Sequence, residues 1–312
     1  MNMKLSKVRL VEGNSKYSYK LSNTTRRYIT FFLLVAPALL LRISTSVYPV
    51  LQTIYLSFFE VNLVSQTNLY VGLQNFIRLA RDISIRDITS FTIMFTLFST
   101  LLELIFGMII ANFLNTNFTG RQLARTINLI PWAIPTIVAA LAFRWMFDDQ
   151  YGLIVDWIYR LFGVRPALLV FPLTSQLSVI LVNVWKNTPF TTIVLLAGLQ
   201  NVPPELYEAA RIDGANSLQA FRWITIPVSV PIIITLILFH IIWQLSGFDL
   251  IYGMTSGGPG IATTLIGYRI FQKGMLWYDW GTASALGVVL ILIVAIIGII
   301  GLYLFKKYEV TL

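Results

Sequence analysis

Six stretches of this chain are long and apolar enough to cross a lipid bilayer: roughly residues 28–58, 91–114, 127–147, 177–199, 224–248 and 282–305. Nothing else in the sequence limits the fold so severely. A helix of about 20 apolar residues spans the hydrocarbon core. No water is available there to take up backbone N–H and C=O groups, and a helix satisfies them within its own segment. The expected fold class is therefore all-α: a polytopic membrane protein with six transmembrane helices. Composition agrees, since 12% of the 312 residues are charged, against about 25% in soluble domains. Residues 1–27 are polar, lack an apolar period and read as a tail; residues 28–312 read as the membrane domain. The charged lead is too long, and the first apolar run too extended, for a cleaved signal peptide.

An even number of spans puts both ends on one side. That side carries thirteen Lys and Arg: seven in the tail, then Arg121, Arg125, Arg211, Arg222, Lys306 and Lys307. The other side carries seven, and Arg42, Arg144 and Lys186 fall inside spans. The excess of positive charge on the cytoplasmic side of membrane proteins then predicts both termini in the cytoplasm.

Missing residue types narrow the chemistry. There is no cysteine and one histidine, His240, so zinc clusters and a Ser-His-Asp centre are not expected. No G-x-x-x-x-G-K-[ST] phosphate loop is present. No catalytic residue, metal ligand or cofactor is assigned to this chain, and its basic balance is read as membrane topology rather than as nucleic-acid binding.

The most patterned polar stretch, PPELYEAARIDGANSLQAFRWITIP (Pro203–Pro227), lies between the fourth and fifth spans. Pro203 and Pro204 suit a first helical turn, where a missing N–H costs nothing. Glu205 and Glu208 lie toward the positive end of the helix dipole. Gly214 fits a left-handed stop, and Ser217 is a plausible N-cap for a second short helix. Ala209 and Ala210 leave a flat surface flanked by Glu208 and Arg211, suited to a groove on another protein; an interfacial helix that only links two spans is the competing reading.

Glu208-Ala209-Ala210, three residues, Gly214, nine residues and Ile224-Thr225-Ile226-Pro227 resemble the EAA motif of ABC importer permeases. One departure is visible, Ile226 where the family has Leu. The segments YVGLQNFIRL, PWAIPTIVAALAFRWMF, WKNTPF and TSGGPG resemble the carbohydrate-uptake branch of these binding-protein-dependent permeases, of the MalF/UgpA type. The resemblance implies that residues 28–312 form a permease domain and that Glu208, Ala209, Ala210, Arg211, Asp213 and Gly214 couple it to an ATPase. It implies a second homologous permease subunit, two ABC ATPase subunits that hold ATP and Mg, an extracytoplasmic solute-binding protein, a sugar substrate and a prokaryotic cell membrane.

Two spans flanking that loop carry polar stripes. Asn183, Lys186, Asn187 and Phe190 fall at i, i+3, i+4 and i+7, as do His240, Trp243, Gln244 and Gly247; each set shares one helical face. Polar groups within a span face protein or a water-filled path. Amides with aromatic rings suit sugars, whose hydroxyls and apolar C–H faces need both. In maltose-type relatives these helices line a midmembrane sugar site, and the resemblance carries Asn187, Phe190, His240, Trp243, Gln244 and Gly247 onto it. Packing is the competing reading for Phe190 and Trp243, and a buried helix contact for His240. Arg42 should seek a carboxylate or an aqueous cavity, with Glu103 a possible partner. Gly298 and Gly301 suit close helix packing, and Trp277, Tyr278 and Trp280 an interfacial aromatic belt.

The resulting expectation is a non-enzymatic permease subunit of an ATP-driven importer for a sugar or oligosaccharide. The alternatives are a permease for a non-sugar or anionic solute such as glycerol phosphate or a uronate, and an ion-coupled secondary transporter. The last would carry internal repeats and membrane carboxylates, and Glu103 is the only carboxylate well inside a span.

Overall fold

A computed structural model describes residues 23–62 and 67–309. The tail expected over residues 1–27 lies outside the described residues as far as residue 22. The chain divides into two units, residues 1–55 and 56–312.

In the first unit, α1 (Asn23–Arg42) continues through a π turn (Ile43–Val47) into α2 (Tyr48–Leu56). The hydroxyls of Ser44 and Thr45 both donate to the Leu41 carbonyl, at 3.0 and 2.7 Å, where the wider turn loosens the helical ladder. Arg42 is the last residue of α1 and is exposed, in the middle of the helix that continues into α2.

The second unit opens with a hairpin, β1 (Phe59–Asn62) antiparallel to β2 (Thr67–Tyr70), in the register Phe59↔Tyr70 to Asn62↔Thr67. The buried Asn75 amide at the start of α3 (Gln74–Arg81) donates to the carbonyls of Ser57 and Phe59, both at 2.9 Å. α4 (Ile83–Asn115) follows, its Asp82 N-cap accepting from the Ser84 N–H. At 33 residues it measures about 50 Å, so it outruns the hydrocarbon core.

The third expected span is not one helix. α5 (Arg121–Asn128) and α6 (Ile130–Ala133) meet α7 (Thr136–Met146) at a bend of 86°. The cause is local: Pro131 and Pro135 bracket the break, and Pro135 has no N–H for the ladder. Among the described residues, five helices have the length and apolarity to cross a membrane, or six if this broken pair is one span. α8 (Leu153–Phe162) is amphipathic and precedes α9 (Pro172–Leu199), which passes through Pro189 without interruption.

α10 (Pro204–Ile212) and α11 (Ser217–Ala220) form the loop helices; a π turn (Phe221–Thr225) feeds α12 (Ile226–Leu245). α13 (Asp249–Met254), α14 (Ile266–Phe271), a π turn (Gln272–Leu276) and α15 (Trp280–Glu309) complete the unit. The GGPG turn between α13 and α14 uses positive φ at Gly257 and Gly260, but not at Gly258. Buried Thr263 ties it down by donating to the Gly258 carbonyl at 2.8 Å. Trp277 and Tyr278 are exposed, with the Arg269 guanidinium 5.1 Å above the Trp277 ring.

α4 and α9 form the central pair and run parallel. Near the loop end, Met108, Ala111 and Leu114 pack on Leu195, Leu196 and Leu199, with Leu236 of α12 completing the cluster. Toward the other end, Phe91 and Phe95 meet Val179, Ile180 and Val182, covered by Ile251 and Met254 of α13. Beside the loop-end cluster, Gly107 lets α4 and α9 approach closely. A β-carbon there would lie 2.7 Å from the Thr191 methyl and 3.0 Å from its Cβ. Gly107→Val is therefore expected to cost about 1–3 kcal/mol by overpacking, read as a lower unfolding temperature in detergent. Gly301 of α15 likewise faces Leu238 of α12 at closer than contact distance for a β-carbon, whereas Gly298 has open space and makes no such approach.

Candidate functional site

The site lies where α4, α9 and α12 converge, between the two apolar clusters. Each of the two predicted stripes divides, and only part of each meets there.

Asn183 and Gln244 turn inward to Glu103. The Asn183 amide donates to Glu103 Oε1 at 2.9 Å, and Gln244 Nε2 donates to Oε2 at 3.1 Å. His240 Nδ1 lies 2.9 Å from Oε2, and His240 Nε2 lies 2.8 Å from the Thr191 hydroxyl. Glu103 is fully buried, and His240 and Gln244 nearly so. A buried carboxylate needs a partner for each lone pair it keeps, and three polar side chains from two helices supply them here. Within the second unit, His240 is thus a direct partner of Glu103, a role the sequence reading offers to Arg42.

Lys186 does not face this cluster. Its ammonium donates to the carbonyls of Ile134 at 2.7 Å and Trp132 at 3.3 Å. Those groups lose their helical partners where α6 breaks from α7, and within lipid such groups must be satisfied by protein. Arg144, in the last turn of α7, is exposed.

The remaining stripe residues form a wall. Trp132 stacks on Phe190 with ring centroids 5.7 Å apart; Phe190 meets Phe239 at 5.0 Å, and Phe239 meets Trp243 at 5.3 Å. With Asn187 and His240, these four rings line a cavity of about 20 Å³, enough for about one water. Asn187 donates to the Asn183 side-chain oxygen at 3.0 Å. Gly247 is half-buried just beyond α12, its N–H donating to the Gln244 carbonyl at 3.1 Å, and does not line the cavity. Trp132, Phe239, Thr191 and the hub role of Glu103 were missed by the stripe reading. Phe239 adjoins His240 in sequence but falls just outside the i, i+3, i+4 pattern. The Pro131–Pro135 bracket was the available signal for Trp132.

The loop between α9 and α12 shows a Schellman stop. Ala215 N–H donates to the Ala210 carbonyl at 2.8 Å and Gly214 N–H to Arg211 at 3.1 Å, with Gly214 at φ +81°. That is the bonding pattern a left-handed glycine permits after a last turn. The second helix is capped by Asn216 rather than Ser217, in a capping box with Gln219. The amide oxygen of Asn216 accepts from the Gln219 N–H at 2.9 Å. Glu208, Ala209, Arg211, Asp213 and Gly214 are exposed and Ala210 is half-buried; Ile212 is 86% exposed. No residue of α10 is buried. Tyr207 reaches back to the Thr225 hydroxyl at 3.0 Å, fastening α10 to the start of the helix that follows.

A set of helices long and apolar enough to cross a membrane, with a bent helix pair, an aromatic cavity and an exposed helical loop between two cavity-lining helices, is an architecture suited to a transport subunit. The model of the family described as binding-protein-dependent transport system inner membrane component matches residues 103–310, and the chain belongs to that family. It is 37% identical over 264 residues to the trehalose/maltose transport system permease protein MalF of Thermococcus litoralis, covering 84% of this chain and 89% of that protein. It is 36% identical over 259 residues to the sulfoquinovosyl glycerol transport system permease protein SmoG of Agrobacterium fabrum, covering 83% and 84%. Among solved structures, a chain of a bacterial alginate ABC transporter, crystallised with its alginate-bound periplasmic protein, superposes with a TM-score of 0.81. That match covers 92% of this chain and 97% of the other at 22% identity, and establishes the shared fold. The protein is thus a membrane-embedded permease of an ABC import system that works with a binding protein.

Proposed function

We propose that the chain carries a neutral sugar or oligosaccharide from an extracytoplasmic binding protein into the cytoplasm by alternating access. The observation that carries this reading is the convergence of α9 and α12 on a cavity walled by Trp132, Phe190, Phe239 and Trp243, with Asn187 and His240 as its polar members. Aromatic faces cover the C–H surface of a sugar ring, and the Asn187 amide reaches its hydroxyls, with the His240 ring as a further wall. Lys186 is spent on the carbonyls of Trp132 and Ile134, which weighs against an anionic substrate. The cavity is too small for a sugar ring in this conformation, so the aromatic wall parts on loading.

The relatives named above are permeases for trehalose or maltose and for sulfoquinovosyl glycerol, which supports a sugar-containing substrate; the neutral charge is argued from Lys186 alone. A second, similar permease faces this one, and two ATPases hold ATP and Mg below. Both termini lie in the cytoplasm of a prokaryotic cell, as the charge tally favours. ATP binding closes the ATPase dimer and draws the α10 loops together; the movement passes along α9 and α12 and turns the cavity outward. Hydrolysis returns it.

The reconstituted complex, presented with a panel of glycan-loaded binding protein, is expected to show glycan-stimulated ATP hydrolysis with neutral sugars and little with uronates. Stimulation by uronates alone would overturn the neutral-sugar reading. Trp243→Ala is expected to weaken apparent substrate affinity about tenfold, the scale of one aromatic contact. Trp243 is 54% exposed, so its loss leaves the fold intact, and uptake kinetics read the effect.

A further inference from the structure

Glu103 has no place in a list of residues that touch substrate, because no part of it is exposed. Yet both polar members of the cavity wall are held from behind by it. His240 reaches it directly, through Nδ1 at 2.9 Å. Asn187 reaches it through one relay: its amide donates to Asn183 Oδ1 at 3.0 Å, and the Asn183 amide donates to Glu103 Oε1 at 2.9 Å. Gln244 fills the remaining side of the carboxylate from one turn beyond His240.

We propose that Glu103 is a positioning residue for the substrate, fixing the His240 ring in the cavity wall and setting which amide atom of Asn187 the cavity presents. The physical reason is that neither side chain can orient itself. An imidazole rotates about χ2 and has two tautomers; a side-chain amide has two orientations differing only in donor and acceptor. The apolar clusters on either side of the network are non-directional and choose among none of these states. With Glu103 ionised, the carboxylate only accepts. The His240 hydrogen then sits on Nδ1, and Nε2 is left to the Thr191 hydroxyl at 2.8 Å. The amides of Asn183 and Asn187 must both point their NH2 groups along the chain toward Glu103, so that Asn187 presents its oxygen to the cavity as an acceptor. Removing the carboxylate frees all three side chains together. The consequence for transport rests on the sugar-site reading above, but the orientation of His240 can be tested without it.

His240 is the only histidine in the chain, so a single imidazole signal reports on it. The full chain, purified on a histidine-free tag and labelled with 15N-histidine, is expected to show one fixed tautomer with hydrogen on Nδ1. Glu103→Gln is expected to release it into a mixture. In the assembled complex the same variant is expected to raise the KM for glycan uptake about tenfold while the maximal rate changes less than twofold. A role confined to stability would lower the amount of assembled complex and leave KM alone. Thr191→Val, which removes the Nε2 partner and leaves Glu103 in place, serves as the second variant and is expected to raise KM in the same direction. An unchanged imidazole spectrum in Glu103→Gln, or an unchanged KM in both variants, overturns the proposal. Should the wild-type complex take up no glycan, the sugar reading fails on its own, while the spectrum still decides whether Glu103 sets His240.

Discussion

Gly214→Pro abolishes ATP-dependent uptake, to below about 1% of wild type, and strips the ATPase subunits from the purified complex. The loop geometry dictates the size of the effect. Gly214 sits at φ +81°, and proline is confined near −65°. Its N–H, which proline lacks, donates to the Arg211 carbonyl at 3.1 Å. Both requirements of the Schellman stop fail at once, so the last turn of α10 cannot end where it does, at a cost of about 3 kcal/mol or more. Glu208→Lys acts on the same surface without touching the backbone. It reverses a charge on an exposed docking face, and a central interface residue costs ~2–4 kcal/mol, about 30- to 1,000-fold in affinity. Because α10 buries none of its residues and Glu208 is exposed, the isolated Glu208→Lys chain should unfold at an unchanged temperature, whereas Gly214→Pro carries its backbone cost into the fold. In Glu208→Lys, copurification and uptake thus separate docking from folding. Either variant retaining normal uptake and a full complement of ATPase would mean that α10 is only a linker.

That loop was readable from the sequence almost residue by residue because every signal in it is local. Prolines, a left-handed glycine and a capping amide act within four or five positions, and the one slip, Ser217 for Asn216, moved a cap by a single residue. The intramembrane site was readable only as two helical faces. A face about 100° wide admits several directions, and the stripe cannot say which of its members meets a third helix. Lys186 and Asn187 are adjacent, yet one serves a carbonyl pair more than fifty residues upstream while the other lines the cavity. His240 and Gln244 turn toward Glu103, whereas Trp243 between them joins the aromatic wall. Glu103 itself was conspicuous as a lone carboxylate within a span. Its partners lie 80 to 141 positions away along the chain, and no periodicity reaches across such separations.

Lys186→Met separates the neutral-sugar reading from the anionic one, and its two outcomes differ in kind. If Lys186 anchored an anionic substrate, the variant would fold normally and lose uptake of charged glycans alone. The structure points the other way. Lys186 is buried to 6% exposure and donates to the carbonyls of Trp132 and Ile134 at the break between α6 and α7. Methionine keeps the length of the stem and removes every donor. Two carbonyls then lose a charged donor in a place where water does not replace it, at ~1–3 kcal/mol each. The break at Pro135 loses the tie that holds it against α9, and Trp132, whose ring lies 5.7 Å from that of Phe190, leaves the cavity wall. The expected result is a clear fall in unfolding temperature in detergent, together with loss of uptake for neutral and charged glycans alike. Lys186→Arg keeps a donor at the break and should recover much of the stability. A variant Lys186→Met of unchanged stability, defective for anionic glycans only, would return Lys186 to the substrate path and with it the anionic reading.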